Sequence, residues 1–238
     1  MLEKIGVIIG DELKQSVKDK KVMVLIFTYL VLIGTAIKYG AVFRLIAGLF
    51  FFTTEVDIAV IIPYYVSVFL IPFLALLLTY DAISGELHGN SIRYIASRVD
   101  RFSILLGKYA AAAIIMIALN FASYFILALN NYDSTSRWLM MDYMTAFAYL
   151  SFYSLCFLSI GFFGSSVTKK PSTSLWIGMT IISTGLLMLI KNVIVKAVPF
   201  YYVANFLLGN MTKGIIVFSA IAAAGFIGSY LVFRRMDL

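Results

Sequence analysis

The sequence predicts an all-α membrane protein with six transmembrane helices, and three observations predict it. Of 238 residues, 62% are hydrophobic and only 13% are charged, against about 25% charged in a soluble domain. Apolar runs recur along the chain at about the 20-residue length that a helix needs to cross the hydrocarbon core. Lysine and arginine gather on one side of those runs, as they do on the cytoplasmic side of membrane proteins.

The first element is a surface helix. Leu2, Ile5, Ile9, Leu13 and Val17 recur near helical spacing, with Lys4, Glu12, Lys14 and Lys18 on other faces. This predicts an amphipathic interfacial helix over residues 1–21. The leader is long and mixed in charge, and no small-residue cleavage site follows the first apolar run. That run is therefore read as a retained span rather than a signal peptide. The six spans are residues 22–39, 58–80, 109–129, 143–167, 174–190 and 215–233, the fifth short enough to extend at either end. All belong to one transmembrane domain, 1–238.

Charge sets the orientation. With the N-terminus inside, the inner segments hold Lys4, Lys14, Lys18, Lys20, Lys21, Arg93, Arg98, Arg101, Lys108, Lys169, Lys170, Arg234 and Arg235, and the outer ones Lys38, Arg44, Arg137, Lys191, Lys196 and Lys213, which is 13 against 6. The expected placement is a multi-pass protein of the cell membrane with both termini cytoplasmic. Two outer segments are apolar but interrupted. Residues 41–52 are too short to span and carry Arg44, and residues 193–208 are broken by Lys196 and Pro199. Each reads as a re-entrant or interfacial piece, with a tilted span as the alternative. Phe200, Tyr201 and Tyr202 suit a headgroup boundary.

Several functions are excluded on chemistry. A net charge of +7 reflects the inner-face bias, and no basic soluble module exists to hold nucleic acid. One cysteine, Cys156, and one histidine, His88, form neither an intrachain disulfide nor a His/Cys metal cage. Gly107-Lys108 is followed by Tyr109 and lacks the upstream glycine of a phosphate loop. No catalytic residue and no metal site is assigned, and the chain is not read as an enzyme. Apart from Lys38 at the outer end of the first, the predicted spans contain no Asp, Glu, Lys, Arg or His, which argues against a proton- or ion-coupled carrier. Their polarity is limited to residues such as Ser67, Asn120, Ser123, Thr180, Ser183 and Thr184, either helix–helix contacts or ligands. Pro63 and Pro72 can bend the second span, with neighbouring helices supplying the freed carbonyls. Ala220, Ala224 and Gly228 predict a close-packing stripe on the last span. Any transport must therefore be driven by another protein.

That need gives the polar stretch 81–108 its meaning. Gly89 is placed to end a short helix with positive φ, and Asn90 to cap a second. Ile92, Ile95, Val99 and Phe102 would form one apolar stripe, with Arg93, Arg98, Asp100 and Arg101 mostly facing elsewhere. The result is a cytoplasmic coupling helix between the second and third spans. Arg93 and Arg98 could equally bind anionic lipid heads. Glu86 could hold the segment or pair with Lys108 or Arg93.

Glu86, Gly89, Ser97, Arg101, Gly107 and Lys108 fall where type-2 ABC transporter permeases carry their cytoplasmic signature, and this chain resembles that family along nearly its whole length. Asn90 stands where Thr is usual, and no proline lies between Ser97 and Arg101. The resemblance implies a pathway subunit that pairs with a second permease chain, identical or not. It also implies two cytosolic ATPase subunits docked beneath, with ATP and magnesium bound on them and no cofactor on this chain. Asp81, Glu86, Gly89, Arg93, Arg101, Gly107 and Lys108 would couple to the ATPase. The pathway would run between the second and fifth spans, which places Tyr64, Tyr65, Ser67, Thr180, Ser183 and Thr184 along it, and the direction would be export. The competing class is a membrane scaffold or sensor without a transport path.

Overall fold

The computed structural model describes residues 2–39, 58–89, 99–130, 137–190, 199–203, 206 and 211–236. Within them every regular element is helical. The elements are α1 (Leu2–Lys18), α2 (Lys20–Lys38), α3 (Ile58–Thr79), α4 (Ser84–His88), α5 (Arg101–Asn130), α6 (Arg137–Val167), α7 (Pro171–Ile190) and α8 (Met211–Arg235), with a 3-10 turn at Pro199–Val203 before α8. Four stretches are long and apolar enough to cross a membrane: Pro63–His88, Arg101–Leu129, Met140–Val167 and Met211–Arg235. Helices α2 and α7 coincide with the first and fifth predicted spans.

Helix α6 is central. It packs against α3, α5, α7 and α8, while α1 lies on α5 and α2 on α3. Its buried face carries Tyr149, Tyr153, Cys156, Phe157 and Phe162. In lipid, apolar burial does not drive helices together, so close contact and interhelical hydrogen bonds must do so. Both are present. Gly161 leaves no room for a Cβ beside the Thr79 side chain, which brings α6 onto α3.

Helix α3 runs unbroken through Pro63 and Pro72. Pro72 has no amide proton, so the carbonyl four residues earlier, that of Val68, loses its helical donor. The Tyr153 hydroxyl donates to it from α6 at 3.1 Å. A neighbouring helix thus satisfies the freed carbonyl, as backbone in hydrocarbon requires.

Three local expectations are corrected. Gly89 does end α4, but at φ −82°, ψ −1°: its amide closes on the Gly85 carbonyl at 3.0 Å, a right-handed ending that needs no positive φ. Phe102 does not continue a stripe with Val99. Asp100 caps α5, its carboxylate accepting the Ser103 amide at 3.0 Å, so Phe102 sits in the first turn of α5 against Phe226 and Tyr230. Ala220 and Ala224 face outward. The buried face of α8 is instead Gly214, Phe218, Ser229 and Phe233, with Gly225 close against Ser159. Residues 41–52 and 90–98, including Arg93 and the helix expected after Asn90, lie outside the described residues, as do the remaining parts of 193–208.

Candidate functional site

Three of the sequence-predicted coupling residues, Glu86, Gly107 and Lys108, converge where α1, α4 and α5 meet. Gly107 makes the meeting possible. A Cβ there would lie 2.6 Å from Ile8 Cγ2 and 2.9 Å from Ile8 Cβ, so only a glycine lets α1 cross α5 this closely. The next residue, Lys108, points its ammonium into the crossing. It donates to Glu12 of α1 and, at 2.8 Å, to Glu86 Oε1 of α4. The lysine side chain is 5% exposed and the two acids 26% and 22%. The cation is therefore the desolvated member, and the carboxylates keep some contact with water. With both acids ionised, two negative charges face one positive, a sum of −1.

Helix α4 has a second mount. The amides of Ile83 and Ser84 donate to Ser165 Oγ at the end of α6, at 3.0 and 3.1 Å. Ser84 Oγ donates in turn to the Tyr80 carbonyl at 2.6 Å. These bonds satisfy helix-start amides that have no partner inside so short a helix. Asp81 occupies the turn between α3 and α4, its carbonyl accepting the Gly85 amide at 2.8 Å.

A cavity of about 330 Å³ opens beside the ion triad. Glu12, Asp19, Lys21, Tyr80, Asp81, Glu86 and Lys108 line its polar part, and Leu77, Ala111, Ile115 and Phe162 its apolar part. Lys21 Nζ reaches the Tyr80 hydroxyl at 3.4 Å. That contact holds the Lys21 ammonium above the ordinary lysine range.

Arg101 is engaged differently. Its Nη1 donates to the carbonyls of Phe233, Arg234 and Met236 at 3.0, 2.7 and 2.8 Å. A cation there satisfies carbonyls that the end of α8 leaves without helical donors and complements its dipole. Arg101 thus joins the start of α5 to the end of α8.

The six pathway candidates divide. Tyr64 and Ser67 are buried inside the bundle, and Tyr65 is half-buried. Tyr64 donates to the Val203 carbonyl at 2.9 Å, and Ser67 Oγ lies 3.1 Å from the Tyr29 hydroxyl. Thr180, Ser183 and Thr184 are exposed on α7 beside Trp176 and Leu187. Thr180 Oγ1 donates back to the Trp176 carbonyl, which hides a hydroxyl donor on an apolar helix.

Residue patterns pointed to Lys108 and Glu86 but not to Ser165, or to Glu12 as the second partner. A signal for Glu12 exists in retrospect: a lysine heading a long apolar run needs a carboxylate, and the leader supplies few.

This is a helical bundle for the membrane, with an ionic joint and a short tethered helix at one end and no metal-binding cluster among the described residues. The model of the ABC-2 family transporter protein matches residues 7–205, and the chain belongs to that family. No curated protein matches the chain.

Proposed function

We propose that the chain is the permease subunit of an ATP-binding cassette transporter. It crosses the cell membrane six times, with α2 and α7 completing the spans. It pairs with a second permease chain, and two separate ATPase subunits drive it, in the direction of export. Family membership supports the class of protein. The observation that carries the mechanism is the mounting of α4. A push on this short helix reaches α5 and α1 through Glu86, Lys108 and Glu12, and α6 through Ser165. Residues 82–105 are therefore the surface on which the ATPase acts.

The pathway candidates on α7 favour a paired subunit. Thr180, Ser183 and Thr184 present hydroxyls on the outer side of a helix otherwise suited to lipid. A second chain or an aqueous path is a better neighbour for them than hydrocarbon. Tyr64 and Ser67 act within the subunit, fixing the frame beside which the path runs.

The test is purification of the tagged chain from its native membrane, followed by ATP hydrolysis in reconstituted vesicles. The permease alone should show no hydrolysis, and a phosphate-loop ATPase should copurify. Recovery of the chain without any ATPase, in membranes that contain one, would leave the scaffold or sensor reading. Impermeant labelling of single cysteines in intact cells fixes the orientation. A cysteine at Asp133 should react, and cysteines at Lys20 and Arg101 should not.

A further inference from the structure

Half-way along the bundle, three helices bring polar side chains together. Tyr29 of α2 lies 3.1 Å from Ser67 Oγ of α3 and 3.3 Å from Asn120 Oδ1 of α5. All three are buried, at 1%, 0% and 0% exposure. The depth is common to the three helices: Asn120 is next to the midpoint of 109–129, and Ser67 and Tyr29 lie within two residues of the midpoints of 58–80 and 22–39. One turn further along α5, on the same helix face as Asn120, lies Tyr124, which is 5% exposed.

The hydrogen bonds do not close. The Tyr29 hydroxyl has one proton to give, and Asn120 Oδ1 and Ser67 Oγ use its capacity to donate and accept. Asn120 Nδ2 and Tyr124 Oη have no partner among the described residues. Turning the amide over would only leave its oxygen in place of its nitrogen. An amide and a phenol left bare in hydrocarbon each carry their full desolvation penalty, and nothing apolar can repay that. A single water can: its oxygen accepts from both donors, and its protons reach lone pairs left on the Tyr29 and Ser67 oxygens. Buried waters characteristically make about three such bonds.

We propose that this cluster binds a water molecule in the bilayer core, held by Asn120 and Tyr124 between α2, α3 and α5. The inference stands on this geometry alone and does not depend on the transport reading. The water makes the joint between α2 and α5 exchangeable, because a bridging molecule can change partners without either helix repacking.

Radiolytic hydroxyl labelling of the protein in nanodiscs tests it, since side chains are oxidised only beside water. Tyr124 and Tyr29 should be oxidised despite their burial, while Phe125, which is 52% exposed on the outside of the bundle and would be covered by acyl chains in the nanodisc, should not. Tyr124→Phe removes one oxygen and leaves the packing. It should bring Tyr29 labelling down to the Phe125 level and lower the melting temperature by about 3 °C. Wild-type labelling of both tyrosines no higher than that of Phe125 would mean a dry cluster and overturn the proposal. So would undiminished Tyr29 labelling in Tyr124→Phe.

Discussion

The two ends of the bundle are fastened by opposite chemistries. At the end that carries α1 and α4, the ties are ionic: Lys108 between Glu12 and Glu86, Arg101 on the last carbonyls of α8, and Asp100 on the start of α5. At the end that carries Pro199–Val203, the ties are neutral. Tyr64 and Tyr149 donate to the carbonyls of Val203 and Tyr202 at 2.9 and 2.5 Å. Tyr64 stacks on Phe206 at 4.5 Å, and Phe200 packs against Phe157 and Tyr153. Ionic ties are strong while paired and costly when half broken. Phenol-to-carbonyl bonds are weaker and indifferent to salt. The difference teaches where this molecule can switch. A charged joint has discrete made and broken states, whereas an aromatic cluster only packs.

The largest effect should come from stranding charge. Lys108→Met leaves two carboxylates facing each other and should destabilise the protein by about 3 kcal/mol. The loss can be read as a drop in melting temperature by fluorescence-detected size exclusion. Neutralising all three, as Lys108→Met with Glu12→Gln and Glu86→Gln, should recover all but about 1 kcal/mol. A single mutant that melts like wild type would mean that the ionic end is held by something else.

Next is the helix crossing that positions the triad. Gly107→Ala drives a methyl group into Ile8 and should cost about 2 kcal/mol. Ile8→Ala in the same chain removes the nearer contact but keeps the Ile8 Cβ, so it should restore only part of the loss, and a double-mutant cycle measures the coupling. Additive losses would show that α1 and α5 do not bear on each other here.

At the neutral end, Tyr64→Phe leaves the Val203 carbonyl bare and should cost about 1–2 kcal/mol. Faster proteolysis between residues 191 and 210 should report it, and 1 M sodium chloride should not change the difference (about 3 Å of screening length matters only to charges). A salt-dependent Tyr64→Phe would blur the contrast between the two ends.

The smallest effect belongs to Arg101→Lys. An ammonium also offers three donors, so the α8 carbonyls can be retained and the loss should stay under about 1 kcal/mol. Hydrogen exchange at the end of α8 should then be near wild type, and clearly faster in Arg101→Ala. Equal protection in all three would remove the clamp.

What could be read from the sequence was what is local. Apolar runs long enough to cross a bilayer located the helices, because in lipid the backbone must satisfy itself within each segment. Glu86 and Lys108 could be singled out because charge beside an apolar run needs a reason. Glu12 could not be joined to them, since 96 residues separate it from Lys108 and no spacing rule bridges helices. The face of α8 that packs was missed by one step around the helix. Ala220 and Ala224 face outward, and of the expected stripe only Gly228 meets α6, at Phe163; Gly214 and Gly225 are the other small residues set against it, at Tyr149 and Ser159. Tyrosine was the least legible type: Tyr64 reads as a pathway residue, and no pattern singles out Tyr149 and Tyr153, until the carbonyls they meet are known.

The bond from Tyr153 to Val68 has a consequence for how this chain can change over generations. Pro72 creates the need for that hydroxyl, so a change at residue 72 alters what a change at residue 153 costs. A lineage that first replaces the proline regains an amide and is free to lose the tyrosine afterwards. A lineage that first loses the hydroxyl passes through an ancestor with a bare carbonyl in the middle of the membrane. The permitted order of loss is proline first, then tyrosine.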